Sequence, residues 1–435
     1  MTEAAILARL RHCDPVGRRG RVTRVLPGLI EGSGPNLEPG SLCRVGVRGS
    51  MIAEIVSVDH RAVRLAPYRP TLDIRIGDPI EALPQRNVVA VGDAFLGRVI
   101  DALGQPIDGN EAVDADAWAR LEMVADRPMT RHTHAGQLET GIRAIDGLLP
   151  LGIGQRVGIF AASGVGKTSL VNQLACQVAA DRCVICSIGE RGREIEHLWA
   201  DVLPASLRQR AVLVAATSDE SAILRVRAAE YAMALARHWR AEGHHVLVLF
   251  DSISRYAMAL REIGLSAGEP PTVRGFTPNA FAALPRLVEQ CGALRGAGAI
   301  SAFFTVLSET DDNDDPIVEV MKSLLDGHIV LSRELAEKGH FPAIDIARSI
   351  SRLARGVSDK AVLQRMADAR DHLAVHAEAK LLIESGLYKQ GTSRKIDQAI
   401  EVRARLDHFL RQDMRQSVTV HETQRHLGQV LEGIA

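Results

Sequence analysis

The sequence predicts an α/β protein in three parts: a small N-terminal β-barrel, a central parallel-sheet domain carrying a phosphate-binding loop, and a C-terminal helical domain. Three observations predict it. Short β runs punctuated by glycine and proline fill residues 20–87. Near-continuous apolar strands alternate with helical patterns from Gln155 to about Ser351, which implies a mainly parallel sheet buried on both faces. After Arg355 the chain turns helical and charged to its end. The expected limits are 1–19 for a partner-binding or disordered segment, 20–87 for the barrel, 88–355 for the phosphate-loop domain and 356–435 for the helices.

Length and composition fit this division. A chain of 435 residues holds two or three domains. Its 46% hydrophobic and 24% charged content is that of a globular protein with sizeable cores. Lysine plus arginine number 52 against 53 acidic residues, so no global attraction to polyanions is expected. No apolar run reaches membrane-spanning length, and the first residues lack a secretory-signal layout, which together predict a cytoplasmic protein. The six cysteines form no zinc or disulfide pattern. Cys183 and Cys186 stand three apart on a strand and should face opposite sides of it.

Residues 1–19 place Ile6, Leu7 and Leu10 on one side of an amphipathic stretch. The barrel strands are expected at Arg21–Leu26, Leu42–Val47, Met51–Val58 and Ala62–Leu65, with turns at Glu31-Gly-Ser-Gly-Pro35 and Glu38-Pro-Gly40. Residues 88–150 lead into the main domain and carry little sign of chemistry. Its strands are expected at Val157–Phe160, Cys183–Ile188, Ala211–Ala216, His245–Phe250, Ile300–Leu307 and His328–Leu331, with a clear helix over Asp219–Arg240. Three more helices are expected at Asp359–Ser385, Ile396–Arg411 and Val420–Gly433, the first two separated by Gly386-Leu-Tyr-Lys-Gln-Gly391.

The chemistry centres on Gly158-Ile-Phe-Ala-Ala-Ser-Gly-Val-Gly-Lys-Thr-Ser-Leu170. A strand runs through a glycine-bearing turn into a helix, the layout of a phosphate-binding loop. Ser163, Gly164, Val165, Gly166, Lys167, Thr168 and Ser169 line it. Glycines let backbone N–H groups converge on phosphate oxygens, and the helix N-terminus adds partial positive charge. Lys167 can reach the β/γ-phosphates and the Thr168 hydroxyl can sit on Mg²⁺. Ala161 stands where the generic pattern has its first glycine, a position that asks only for a small residue. Asp251 ends an apolar strand of the same sheet, expected to be adjacent, where it would join the Mg²⁺ shell. Glu190 ends another, facing the same crevice, where it would orient or deprotonate water or merely serve as a solvated loop charge. The acidic loop Ser308-Glu-Thr-Asp-Asp-Asn-Asp-Asp-Pro316 is expected to be a solvated connection opening a helix at Pro316, not a metal site.

These segments resemble one family over nearly the whole chain. Ile188-Gly-Glu-Arg-Gly-Arg-Glu194 and Asp251-Ser-Ile-Ser-Arg-Tyr-Ala-Met-Ala-Leu-Arg-Glu-Ile263, followed by Gly268-Glu-Pro-Pro271, resemble rotary and protein-export ATPases related to the F1 β subunit. Pro342-Ala-Ile-Asp-Ile-Ala-Arg-Ser-Ile-Ser351 is similar to the family signature. Gly275-Phe-Thr-Pro-Asn-Ala-Phe-Ala-Ala-Leu-Pro285 and Leu325-Asp-Gly-His-Ile-Val-Leu-Ser332 look like the type III export branch, flagellar or injectisome, and Tyr256-Ala-Met-Ala259 looks more like the flagellar member. The tail after Arg411 matches nothing in that resemblance.

The resemblance implies a RecA/F1-like fold and a ring, of six subunits, that hydrolyses ATP with Mg²⁺. It implies that Glu190 polarises the attacking water, that Arg191 and Arg255 approach the phosphates, and that Phe341 lies against adenine. Arg352 would be an arginine finger inserted into a neighbour's site. The implied partners are a stator-like regulator at the N-terminus, a coiled-coil stalk at the pore near the acidic loop, a membrane export gate, and exported proteins with their chaperones. The protein would sit in the cytoplasm, peripherally on the export apparatus. Two other classes compete: a ring-shaped RNA translocase and a non-catalytic nucleotide-binding subunit. Residues 20–87 hold Tyr68 as their only aromatic, which disfavours a single-strand stacking platform and predicts no nucleic-acid partner. Glu190 disfavours the silent subunit.

Overall fold

The computed structural model describes residues 17–47, 50–70, 73–83, 87–115, 117–123, 126–132, 136–308 and 315–432. The expectations for the first sixteen residues and for the middle of the acidic loop lie outside them.

Six strands close the N-terminal barrel: Arg19–Leu26, Leu29–Gly32, Val63–Pro67, Met51–Val58, Leu42–Val45 and Pro79–Ala82, the last pairing back onto the first. Alternating apolar side chains, among them Val22, Ile30, Val45, Ile55, Leu65 and Ile80, fill its interior. Two strands were not legible from the sequence. Leu29–Gly32 and Pro79–Ala82 have four residues each, and the first runs into the Glu31-Gly-Ser-Gly stretch that reads as a turn. Barrel closure supplies the pairing that their own composition does not.

Tyr68 joins the barrel to the central domain. It is 5% exposed, donates to Glu54 Oε2 (3.0 Å) and accepts from Arg227 Nη1 (3.1 Å). The Arg227 guanidinium also lies over its ring at 5.6 Å. The one aromatic of the barrel segment is therefore spent inside the chain.

The central sheet runs in the order Ile350–Ser351, Gly327–Val330, Arg156–Ala161, Ala299–Leu307, His245–Asp251, Arg182–Ile188, Ala211–Ala216, Val99–Ile100. Every neighbouring pair in this series is parallel except the Ile350–Ser351 edge. All six expected strands are present within a residue or so of their expected limits, and the two strands at the ends of the series are too short to read from sequence. One expectation is corrected. The strand ending in Asp251 is not adjacent to the phosphate-loop strand, because Ala299–Leu307 lies between them and pairs with both. Crossover connections, not chain order, decide which strands touch.

The strands are apolar on both sides because both sides are covered. On one face Cys186, Val214 and Phe250 pack with the helices Ala222–Ala241, Ile253–Ser266 and Pro278–Val288. On the other, Cys183, Leu213 and Leu249 pack with the phosphate-loop helix Lys167–Gln177 and with Leu406, Phe409 and Leu427 of the C-terminal helices. Cys183 and Cys186 thus face opposite ways, and burial pushes the Cys183 thiol up to about 12.

The C-terminal helices are Lys360–Glu384, Arg394–Leu410 and Val420–Leu431. The tail after Arg411 belongs to this packing. Thr419 and Glu422 form a reciprocal capping box at the last helix, Leu427 is fully buried, and Gln424 donates to the Asp146 carbonyl (3.0 Å). A helix opens at Pro316, as the sequence implied, and Asp315 caps it. Among the described residues no helix is long and apolar enough to cross a membrane, and no cluster of three His, Cys, Asp or Glu side chains is placed to hold a metal.

Phe409 is 3% exposed, lies under the Arg143 guanidinium (5.8 Å), and packs so closely on Gly147 that a Cβ there would stand 3.1 Å from its ring. Phe409→Ala should destabilise this shared core by about 3–5 kcal/mol, seen as an earlier urea transition; an unchanged midpoint would show that the C-terminal helices are not anchored there.

Candidate active site

The phosphate-loop strand ends at Ala161 and the helix begins at Lys167. Between them Gly164 (φ +79°) and Gly166 (φ +96°) take the left-handed conformation that L side chains avoid. Val165 is buried and anchors the turn from below, whereas Ser163, Gly164 and Thr168 are exposed and Ser169 is half-buried. Ala161 is buried, and its carbonyl accepts from Ser308 N (3.0 Å), so a small residue fits where the pattern expects glycine.

Two strand ends and two helix starts bring a charge cluster to this loop. Lys167 Nζ lies 2.5 Å from Asp251 Oδ1 and 3.8 Å from Glu190 Oε1. Arg255, on the helix following Asp251, pairs with Glu190 Oε1 through Nε (3.2 Å). Gly189 makes that approach possible, since a Cβ there would stand 2.7 Å from Arg255 Cδ. Thr305, on the intervening strand, donates to Asp251 Oδ1 (2.5 Å) and fixes the carboxylate from the side. The side chains of Lys167, Glu190 and Asp251 are 12%, 14% and 16% exposed. Burial, then the nearby Asp251 charge, raises the Glu190 carboxyl above the usual range, against the opposing pull of Lys167 and Arg255. A carboxylate made more basic beside the phosphate-loop lysine is suited to take a hydrogen bond or proton from water.

The remaining expected residues lie around this cluster, not in it. Phe341 is 45% exposed, which rules out ordinary core packing, and its ring lies 3.5 Å from where a Cβ on Gly166 would be. Arg191 is exposed at the start of the helix Gly192–His197. Arg352 is at the opposite end of the sheet. Its N–H donates to Asp326 O (2.9 Å) and its guanidinium to Lys322 O (3.2 Å), level with Arg156, where the phosphate-loop strand begins. The full length of that strand, roughly 16 Å, separates Arg352 from its own loop.

Residues 141–351 match the nucleotide-binding domain of the ATP synthase alpha/beta family, and residues 358–429 match the C-terminal domain of the T3SS ATPase EscN. The flagellum-specific ATP synthase of Treponema pallidum is 43% identical over 95% of this chain and 93% of its own length. The type 3 secretion system ATPase of Xanthomonas euvesicatoria is 41% identical over 91% of this chain and 90% of its own. The chain belongs to the type III export ATPases of the ATP synthase alpha/beta family. Solved structures of assembled EscN from enteropathogenic E. coli, alone and in complex with its central stalk EscO, align with TM-scores of 0.91 and 0.87 at 37% and 36% identity, each covering 95% of this chain and 100% of the other. The second match includes the tail after Arg411 within this export ATPase fold.

Two site residues escape a reading of the sequence. Thr305 is one polar residue inside an apolar strand, and Gln412 is a loop glutamine whose backbone N–H donates to the Phe341 carbonyl (2.9 Å). No motif marks either; only the fold brings them to the site.

The raised Glu190 pKa carries a signed consequence. A folded-state value above the unfolded one means that the charged form costs stability, and that this cost grows as pH rises through the carboxylate range. In the nucleotide-free export ATPase, Glu190→Gln should therefore melt higher than wild type at neutral pH, with the gain shrinking as pH is lowered. A lower melting temperature at neutral pH would contradict the electrostatic account.

Proposed function

We propose that this protein is an Mg²⁺-dependent ATP hydrolase that works as a ring, of six subunits, and energises type III protein export. The observation that carries the ring is the position of Arg352. An exposed arginine roughly 16 Å from its own phosphate loop cannot serve that loop, yet it lies on an exposed edge beside Ile350, available to a neighbouring subunit.

In this reading the loop amides from Ser163 to Ser169 cradle the phosphates and Lys167 meets the β/γ-oxygens. The hard oxygen donors of Thr168 and Asp251 suit Mg²⁺, which typically takes one or two protein oxygens alongside phosphates and water. When bound, the ion would neutralise charge on the β/γ-phosphate oxygens. Glu190, braced by Arg255, orients the attacking water and accepts its proton, with Arg191 beside the γ-phosphate. Phe341 lies against adenine. Arg352 of the adjacent subunit stabilises the charge that spreads over the transferred phosphoryl group.

Family membership supports the partners: a coiled-coil stalk in the pore, in keeping with the central stalk EscO solved in complex with EscN, a stator-like regulator at the N-terminus, the membrane export gate, and exported proteins with their chaperones. It also supports a cytoplasmic protein docked peripherally on the export apparatus. The burial of Tyr68 under Arg227 weighs against an RNA-stacking role for the barrel. Tyr256-Ala257-Met258-Ala259 favours the flagellar branch. Divisions near residues 88 and 356 separate barrel, ATPase domain and helices.

Steady-state turnover per subunit should climb with protein concentration and ignore single-stranded RNA. Arg352→Ala should keep ATP binding and lose about 10³-fold or more in kcat. Concentration-independent turnover, or an Arg352→Ala variant as fast as wild type, would contradict the ring reading.

A further inference from the structure

Gln412 is 6% exposed and ties together three separate parts of the chain. Its Nε2 donates to Gly141 O (2.7 Å) and Gln416 O (2.6 Å), and its Oε1 accepts from Arg143 N (2.8 Å). Both amide hydrogens and the carbonyl are therefore engaged, which leaves the side chain one orientation. Its backbone N–H donates to the carbonyl of Phe341 (2.9 Å). The residue after Phe341 is Pro342, which has no N–H to give, so the Phe341 carbonyl is a principal handle on that turn. Nearby, Gln177, the last residue of the phosphate-loop helix, donates to both Met414 O and Gln416 O (2.9 Å each). The strap from Arg411 to Ser417 is thus pinned to the helix that follows the phosphate loop and to the backbone that carries Phe341.

We propose that Gln412 is a positioning residue for recognition of the nucleotide base. It locks the strap, the strap holds the Phe341 carbonyl, and the Phe341 ring is thereby held beside Gly166. This rests on the reading of Phe341 as the wall against adenine. The consequence is selective, because the phosphates are held by Lys167 and the loop amides, which Gln412 does not touch. Removing the Gln412 amide loosens the grip on the base and leaves the grip on a bare triphosphate as it was.

The test uses the full-length protein and two ligands: ATP, by KM and kcat, and inorganic tripolyphosphate, by its Ki as a competitive inhibitor. Gln412→Ala should raise the ATP KM by about tenfold, the worth of one aromatic stacking contact, with a much smaller change in kcat and an unchanged tripolyphosphate Ki. Gln412→Glu, of the same size, keeps the acceptor for Arg143 N–H but loses both donors, and should share the defect. Should Gln412→Ala fail to fold, this variant carries the test. Phe341→Ala should show the same selective loss, and Phe341→Ala with Gln412→Ala should be no worse than Phe341→Ala alone. Equal losses for ATP and tripolyphosphate, an ATP KM untouched by both Gln412 variants, or full additivity with Phe341→Ala would overturn the proposal while leaving Phe341 as the base wall. An ATP KM unchanged in Phe341→Ala would overturn the base-wall reading itself, and this inference with it.

Discussion

The Lys167 ammonium held between two carboxylates is the interaction on which the arrangement depends. Lys167 opens the phosphate-loop helix, Asp251 and Glu190 come from two other strand ends, and all three are largely removed from solvent. Charges of this kind are tolerated in a protein only when they neutralise one another. The pairing is possible because parallel strands deliver all their carboxyl ends to one edge of the sheet. Arg255 extends the cluster outward and Thr305 fixes it from the strand between. The sheet has to be covered on both faces for such strands to exist, and this is why the C-terminal helices, far away in sequence, share a core with the phosphate-loop helix.

Much of this was legible in the sequence, and the physical reasons are specific. A glycine-bearing turn before Lys167-Thr168 has few structural uses other than wrapping phosphate, so residue type alone identifies it. Glu190 and Asp251 stand directly after apolar strands, and a carboxylate at a strand end in such a fold faces the crevice. What remained hidden depends on neighbours remote in sequence. Thr305 reads as an ordinary β-branched strand residue until the sheet order sets it beside Asp251. That order also separates Asp251's strand from the phosphate-loop strand, which chain order does not reveal. The barrel strands Leu29–Gly32 and Pro79–Ala82 exist because closure pairs them, and Gln412 matters only because the tail folds back past Phe341.

In the proposed mechanism the site is also incomplete within one chain. Everything proposed to grip the phosphates is local to the loop and its flanking strand ends, whereas the arginine that the export ATPase resemblance assigns to catalysis is at the far end of the sheet. In the proposed mechanism binding and catalysis are thereby separated in space: a lone subunit would hold nucleotide, and a neighbour would supply the charge for the transition state. Such a division would make assembly itself a means of control, since turnover would wait on contact between subunits.

The most direct test of this division is subunit mixing. Glu190→Gln lacks the carboxylate proposed to orient water but keeps Arg352; Arg352→Ala is the reverse. Each alone should be nearly inactive. If the finger acts across a boundary, a mixture of the two should regain ATPase activity, because some boundaries join an intact Glu190 to an intact Arg352. A mixture no faster than its inactive components, under conditions where mixed rings demonstrably form, would contradict the account.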